Sequence, residues 1–275
     1  MGPPVPEADG DRRPIGVLDS GTGGLTVLRA INERLPAESS IYVGDLLHFP
    51  YGPRYPEEVR GFTFDIIRYL QSRDVKLVVI ACNTATAAAL NQAREKFDVP
   101  IVGVISPGAQ AAVEATRRRL VAVISTEGTR NSQEYLHAIK EVDPTVGVYQ
   151  KACPELVEIV ESGQADSPVA ETALKRDLDE IVHLGADVLV LGCTHYPLLK
   201  PAIRRLYPDS FEIVDSAQTT AAKVEKLLDH ARMRALGGTP LQEILCTGKA
   251  DTLRKVSAVL FGEAVADVRE INLWD

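Results

Sequence analysis

Short apolar runs recur along the chain, each closed by a polar or glycine-rich stop: residues 15–19, 41–45, 75–81, 100–105, 120–126, 145–149, 188–191 and 212–215. Runs of this length without strict alternation mark strands buried on both faces, as in a parallel sheet. Between them the spacing becomes helical. Residues 56–72 set Val59, Phe62, Ile66, Ile67 and Leu70 on one stripe. Strands alternating with such helices predict an α/β fold with doubly wound parallel sheets. Ser106-Pro107-Gly108 is expected to break the chain before an Ala-rich helix, residues 216–236 to form a helix, and residues 241–275 to add one strand and one further helix.

The pattern restarts halfway. The strand ending near Ser20 has a counterpart ending at Thr126, and the one ending at Cys82 has a counterpart ending at Cys193. Two landmarks repeating at nearly one interval predict two similar α/β domains related by a pseudo-twofold axis, with the active site in the cleft between them. The expected limits are a disordered tail over residues 1–13, a first domain of residues 14–106 plus 216–275, and a second of residues 107–215.

Composition narrows the function classes. The chain has 275 residues, a net charge of −8 and no Lys/Arg-dominated segment, which argues against nucleic acid as the main partner. Arg117-Arg118-Arg119 reads as a solvated helix end. No apolar run approaches membrane-spanning length. The N-terminal residues are rich in Pro, Gly and charge, unlike a signal peptide. Cys82, Cys153, Cys193 and Cys246 lie far apart, without zinc spacing or a disulfide framework, so reduced thiols in the cytoplasm are expected and no metal is implied.

The candidate chemistry sits at strand ends. Residues 187–199 deliver Cys193 after a buried strand, with His195 two residues away and Pro197 in the first turn of a helix. An imidazole and a helix N-terminus both favour thiolate; a buried core thiol is the alternative. Cys82 repeats the arrangement, followed by Asn83 and Thr84, which are helix-cap types and also carboxylate-binding types. Asp19 stands at the last position of the first strand, where open α/β sheets place ligands, or it caps its own loop. The following Ser20-Gly-Thr-Gly-Gly24 loop suits an anion at a helix N-terminus or a plain tight turn. Residues 48–54 read as a surface connector or a substrate-contacting rim. Cys153 before Pro154 looks structural, His183 looks like a helix-surface residue, and Glu161 is either solvated or faces a cleft. Two thiols facing each other across a cleft supply what two-base proton exchange needs, one base removing a proton and the other delivering one to the opposite face. Ser20, Asn83, Thr84, Thr126 and Thr194 would grip carboxylates.

Five ordered motifs, Asp19-Ser-Gly-Thr-Gly-Gly-Leu25, Pro50-Tyr-Gly52, Ala81-Cys-Asn-Thr-Ala85, Ala152-Cys-Pro through Val160-Glu161, and Leu191-Gly-Cys-Thr-His-Tyr-Pro-Leu198, closely resemble glutamate racemase, from about Pro14 to Asp215. The resemblance implies a cofactor-independent enzyme interconverting L- and D-glutamate for peptidoglycan synthesis. It implies Cys82 and Cys193 as the proton-transferring thiols, with Asp19, Glu161 and His195 assisting. Substrate contacts would fall on Asp19, Ser20, Tyr51, Gly52, Asn83, Thr84, Thr126, Thr194 and His195. Oligomeric arrangements vary in the family, and a homodimer is expected. The sequence departs from the family pattern at Thr22 (usually aliphatic), Ser106 (often acidic) and Glu158 (commonly proline). None of these is expected to touch a thiol, which assigns them to packing, interface or regulation. An aspartate or other amino-acid racemase, an inactive binding or regulatory homologue and a redox protein are the alternatives, though a redox protein usually groups its cysteines in one short motif.

Overall fold

In a computed structural model, which describes residues 10–261 and 268–274, ten strands form two parallel sheets. They are β1 (Ile15–Asp19), β2 (Ser40–Asp45), β3 (Leu77–Ile80), β4 (Ile101–Gly103), β5 (Leu120–Ser125), β6 (Gly147–Ala152), β7 (Val188–Gly192), β8 (Glu212–Asp215), β9 (Gln242–Thr247) and β10 (Val268–Ile271). The larger sheet runs β10-β9-β2-β1-β3-β4 and the smaller β6-β5-β7-β8. The order β2-β1-β3-β4 is therefore repeated as β6-β5-β7-β8. Ser20 and Thr126 follow equivalent strands, as do Cys82 and Cys193. With every pairing parallel, all the chemistry-bearing loops of a sheet leave from its same edge.

The central strands are fully buried because helices cover both sheet faces. Val17, Leu28, Val79, Val224 and Leu253 pack on one side of the larger sheet, and Leu18, Ile66, Leu70, Val78 and Ile80 on the other. The smaller sheet is covered likewise, by Leu174, Leu178 and Ile203 on one face and by Ile105, Tyr135 and Ile139 on the other. No helix among the described residues is long and apolar enough to cross a membrane.

Several boundaries differ from the sequence expectation. Ser106-Pro107-Gly108 does not break the chain before a helix but lies in the first turn of helix Ile105–Ala115. Proline is tolerated there because first-turn N–H groups have no intrahelical partner. The end of the chain adds two strands, not one, around helix Asp251–Phe261. Of the expected tail, residues 1–9 lie outside the described residues, whereas Gly10–Arg13 is held in place: Gly10 bridges to Ala235, and the Asp11 N–H donates to the Arg234 carbonyl at 3.1 Å.

Lys76 fastens this segment. Its side chain is fully buried, with Nζ 2.5 Å from Glu38 Oε2, and it also donates to the Asp11 and Met233 carbonyls at 2.6 and 2.7 Å. Glu38 Oε1 in turn accepts from the Ala235 N–H. Removing one partner of such a pair strands a buried charge. Lys76→Met is therefore expected to cost about 3–5 kcal/mol in urea unfolding, with a smaller loss when Glu38→Gln is added. Equal losses in the single and double variants would show the pair contributes no such penalty.

Candidate active site

A cavity of about 300 Å³ opens between the two sheets, and every segment lining it follows a strand. Ser20 comes after β1, Phe49–Pro53 after β2, and Cys82, Asn83 and Thr84 after β3. Thr126 and Glu127 follow β5; Pro154, Val157, Glu158 and Glu161 follow β6; Cys193, Thr194 and His195 follow β7. Of the residues expected to be catalytic or to touch substrate, Asp19 alone does not line this space. It lies fully buried beneath it.

Cys82 is the N-cap of helix Asn83–Lys96, its sulfur accepting from the Ala85 N–H at 3.4 Å and donating to Ser20 Oγ at 3.6 Å. The helix N-terminus nevertheless does not leave it a ready thiolate. Burial, reinforced by the Asp19 charge, pushes the thiol up to about 12. Cys193 has less helix behind it than expected, because the 3₁₀ turn Tyr196–Leu199 comes before helix Lys200–Leu206. Its distinguishing partner is His195, whose Nδ1 lies 3.7 Å from the sulfur. His195 Nε2 is 2.6 Å from Glu161 Oε1, so the carboxylate fixes a proton on Nε2 and leaves Nδ1 to exchange one with Cys193. Burial opposes the imidazolium, but hydrogen bonds to Cys193 and Glu161 outweigh it and raise His195 above its ordinary value.

Asp19 holds its own loop, accepting from the Gly21 N–H at 3.0 Å, and it accepts from Thr194 Oγ1 at 3.3 Å across the cleft. Burial pushes its carboxyl up despite nearby His195 and these donors. The glycines beside it serve close packing. A Cβ on Gly23 would stand 2.4 Å from Thr194 Oγ1 and 2.9 Å from His195 Nδ1, and one on Gly24 would stand 2.5 Å from Asp19 Cβ.

The rim loop is pinned by fully buried Asp45, which accepts from Tyr51 OH and Thr247 Oγ1, both at 2.6 Å. Its far end bonds to the smaller sheet's side, where the Gly128 N–H donates to the Gly52 carbonyl. Thr84 and Thr126 meet across the cleft at 2.9 Å, with Thr129 completing a hydroxyl cluster. Tyr135 OH donates to Asn83 Oδ1 at 2.8 Å, which directs the amide's NH₂ elsewhere; among the described residues this buried Nδ2 has no acceptor. None of the lining residues is Lys or Arg.

Sequence reasoning missed Thr129, the lining Val157, and Tyr135, whose partner Asn83 is remote in the chain. It also misplaced two departures from the family pattern. Thr22 donates to Glu161 Oε1 at 2.8 Å and Glu158 lines the cavity, while Ser106 lies away from it. Cys153 and His183 stand as expected, the first in the core and the second on a helix surface.

This chain belongs to the Asp/Glu/hydantoin racemase family, whose model matches residues 15–224. More particularly, it is similar to glutamate racemases. The enzyme of Exiguobacterium sibiricum is 44% identical, over 90% of this chain and 91% of that one. The solved glutamate racemase isoform RacE1 of Bacillus anthracis superposes with a TM-score of 0.92 at 37% identity, covering 96% of this chain and 98% of that one. That of Francisella tularensis, solved with D-glutamate, superposes at 0.88 and 29% identity over 96% and 98% of the two chains.

The surroundings of Cys82 set its reactivity. In the unliganded protein, iodoacetamide labelling of Cys82, mapped by mass spectrometry, is expected still to be rising at about pH 11, where an ordinary thiol has levelled off by about pH 10. A plateau by about pH 10 would contradict the assigned burial effect.

Proposed function

We propose that this protein interconverts L- and D-glutamate by two-base proton transfer at Cα, with Cys82 and Cys193 as the proton carriers on opposite faces of the substrate. The observation that carries this is the placement of the two sulfurs: equivalent strand ends of two repeated sheets, lining one cavity. For one enantiomer a Cys82 thiolate takes the Cα proton as the S–H bond forms, and the Cys193 thiol gives its proton to the opposite face. For the other enantiomer the roles reverse. Each turnover exchanges which sulfur carries the proton, so the thiols must be recharged. His195 and Glu161 provide that at Cys193, where the imidazole nitrogen faces the sulfur and the carboxylate steadies the imidazolium.

Substrate brings its own positive charge. Its α-ammonium approaches Cys82, whose charged neighbour is the Asp19 carboxylate, and favours thiolate there. Its carboxylates are received by neutral donors, namely Asn83 Nδ2 and the hydroxyls of Ser20, Thr84, Thr126 and Thr194, while Tyr51 and Gly52 shape the rim. Donors fixed in a water-poor site stabilise the charge that develops when Cα is deprotonated. Asp19 acts as a positioning residue, gripping Thr194 from below. The substrate enters the cleft between the domains of residues 14–106 plus 216–275 and residues 107–215. A cytoplasmic homodimer supplying D-glutamate for peptidoglycan is the setting this reading implies.

Purified protein in D₂O, without added cofactor, is expected to racemise either enantiomer of glutamate and incorporate deuterium at Cα, with aspartate turned over far more slowly. Cys82→Ser and Cys193→Ser should each lower kcat by about 10³-fold or more, a hydroxyl being a poor base at neutral pH. Full turnover by either variant, or retention of optical activity by the wild type, would refute the scheme.

A further inference from the structure

Thr22 enters the site through a contact no neighbouring motif announces. It is buried at 3% exposure, and its hydroxyl donates to Glu161 Oε1 at 2.8 Å. That same oxygen receives His195 Nε2 at 2.6 Å. One carboxylate oxygen thus accepts both from the imidazole that faces Cys193 and from a hydroxyl of the opposite sheet's loop. An aliphatic side chain at this position, the pattern from which the sequence departs, would leave His195 as the only donor to that oxygen.

We infer that Thr22 is a positioning residue that tempers the basicity of Glu161, and through it sets the pH range over which His195 exchanges protons with Cys193. The inference rests on the reading of Cys193 as a proton carrier. Hydrogen bonds to a carboxylate favour its charged form, and two donors share the charge that one would otherwise hold alone. Burial would push the Glu161 carboxyl up, but the bonds from His195 and Thr22 hold it below the usual carboxylate range. The other titratable groups facing this pair are Asp19 beneath the Gly21–Gly24 loop, Glu158 on the same helix, Tyr42 below, and the two thiols. On its far side the pair meets Val160, Leu198 and Val256 around a small second cavity that Thr22 also lines, where no charged side chain among the described residues replaces the lost hydroxyl.

With the hydroxyl gone, the carboxylate binds a proton more readily and also holds the imidazolium more tightly. Both limbs of the pH–rate profile should then move to higher pH.

The test compares the wild type with Thr22→Val and Thr22→Ser. In Thr22→Val the acid limb of kcat is expected to rise by roughly half to one pH unit, with KM little changed. Thr22→Ser, which keeps the donor, should restore the wild-type limbs. The titration of the His195 ring nitrogens, followed by ¹⁵N NMR in the unliganded protein, should shift upward in Thr22→Val as well, a change that loose packing alone would not produce. If Thr22→Val does not fold, Thr22→Ala removes the same hydroxyl with less crowding and takes its place. Superimposable pH profiles and His195 titrations in the wild type and the hydroxyl-free variant would overturn the inference. Absence of racemisation in the wild type would instead overturn the proposed function, while the NMR comparison would still decide the role of Thr22.

Discussion

The site depends on one close approach, that of the Ser20–Gly24 loop to the Cys193–His195 loop. Gly23 lies so near Thr194 and His195 that a single methyl would collide with both. Three polar links cross at the same place: Thr194 to Asp19, Thr22 to Glu161, and Glu161 to His195. The first two join the opposed sheets, and the third joins two loops of the smaller one. The contact is made of buried polar groups, which are strong when fully satisfied and costly when disturbed, so it fixes one relative placement of the loops. The Gly-rich loop is therefore a packing surface more than an anion cradle, its Gly21 N–H already taken by Asp19.

Repetition of a strand order does not make the two thiols chemically alike. Cys82 is a helix cap with a backbone donor and a serine beside it, and its nearest charge is a carboxylate. Cys193 has a histidine. On the proposed reaction the two ends of the equilibrium are mirror images of equal free energy, so kcat/KM must be the same in both directions whatever the asymmetry of the protein. Unequal surroundings can appear only in how kcat and KM divide, and in how pH affects each direction's rate-limiting step.

Much of this was legible in the chain. The apolar runs located the strands of both sheets up to β9, because strands buried on both faces have no polar alternation to blur them. The double landmark, Ser20 with Cys82 and Thr126 with Cys193, anticipated the repeated strand order. Less legible was anything set by long-range packing. Thr22 was noticed as unusual but assigned away from the chemistry, since its partner lies far along the chain and reaches it only by folding. Tyr135 carries no local mark at all; its importance comes from an amide in the other half of the molecule. Asp19 could be read as a ligand-facing strand end or as the cap of its own loop; folding buries it one layer down, where it caps that loop.

The cavity's lining has a consequence for traffic. Among the described residues no lysine or arginine lines the cavity, and on a chain of net charge −8 the long-range field opposes the approach of a dicarboxylate. Capture then relies on short-range dipoles encountered only after entry. Such a site trades fast electrostatic recruitment for easy escape, a fair arrangement for a catalyst whose product differs from its substrate only in handedness and must leave through the same door. Raised ionic strength screens the opposing field, so entry is easier at high salt than in dilute buffer.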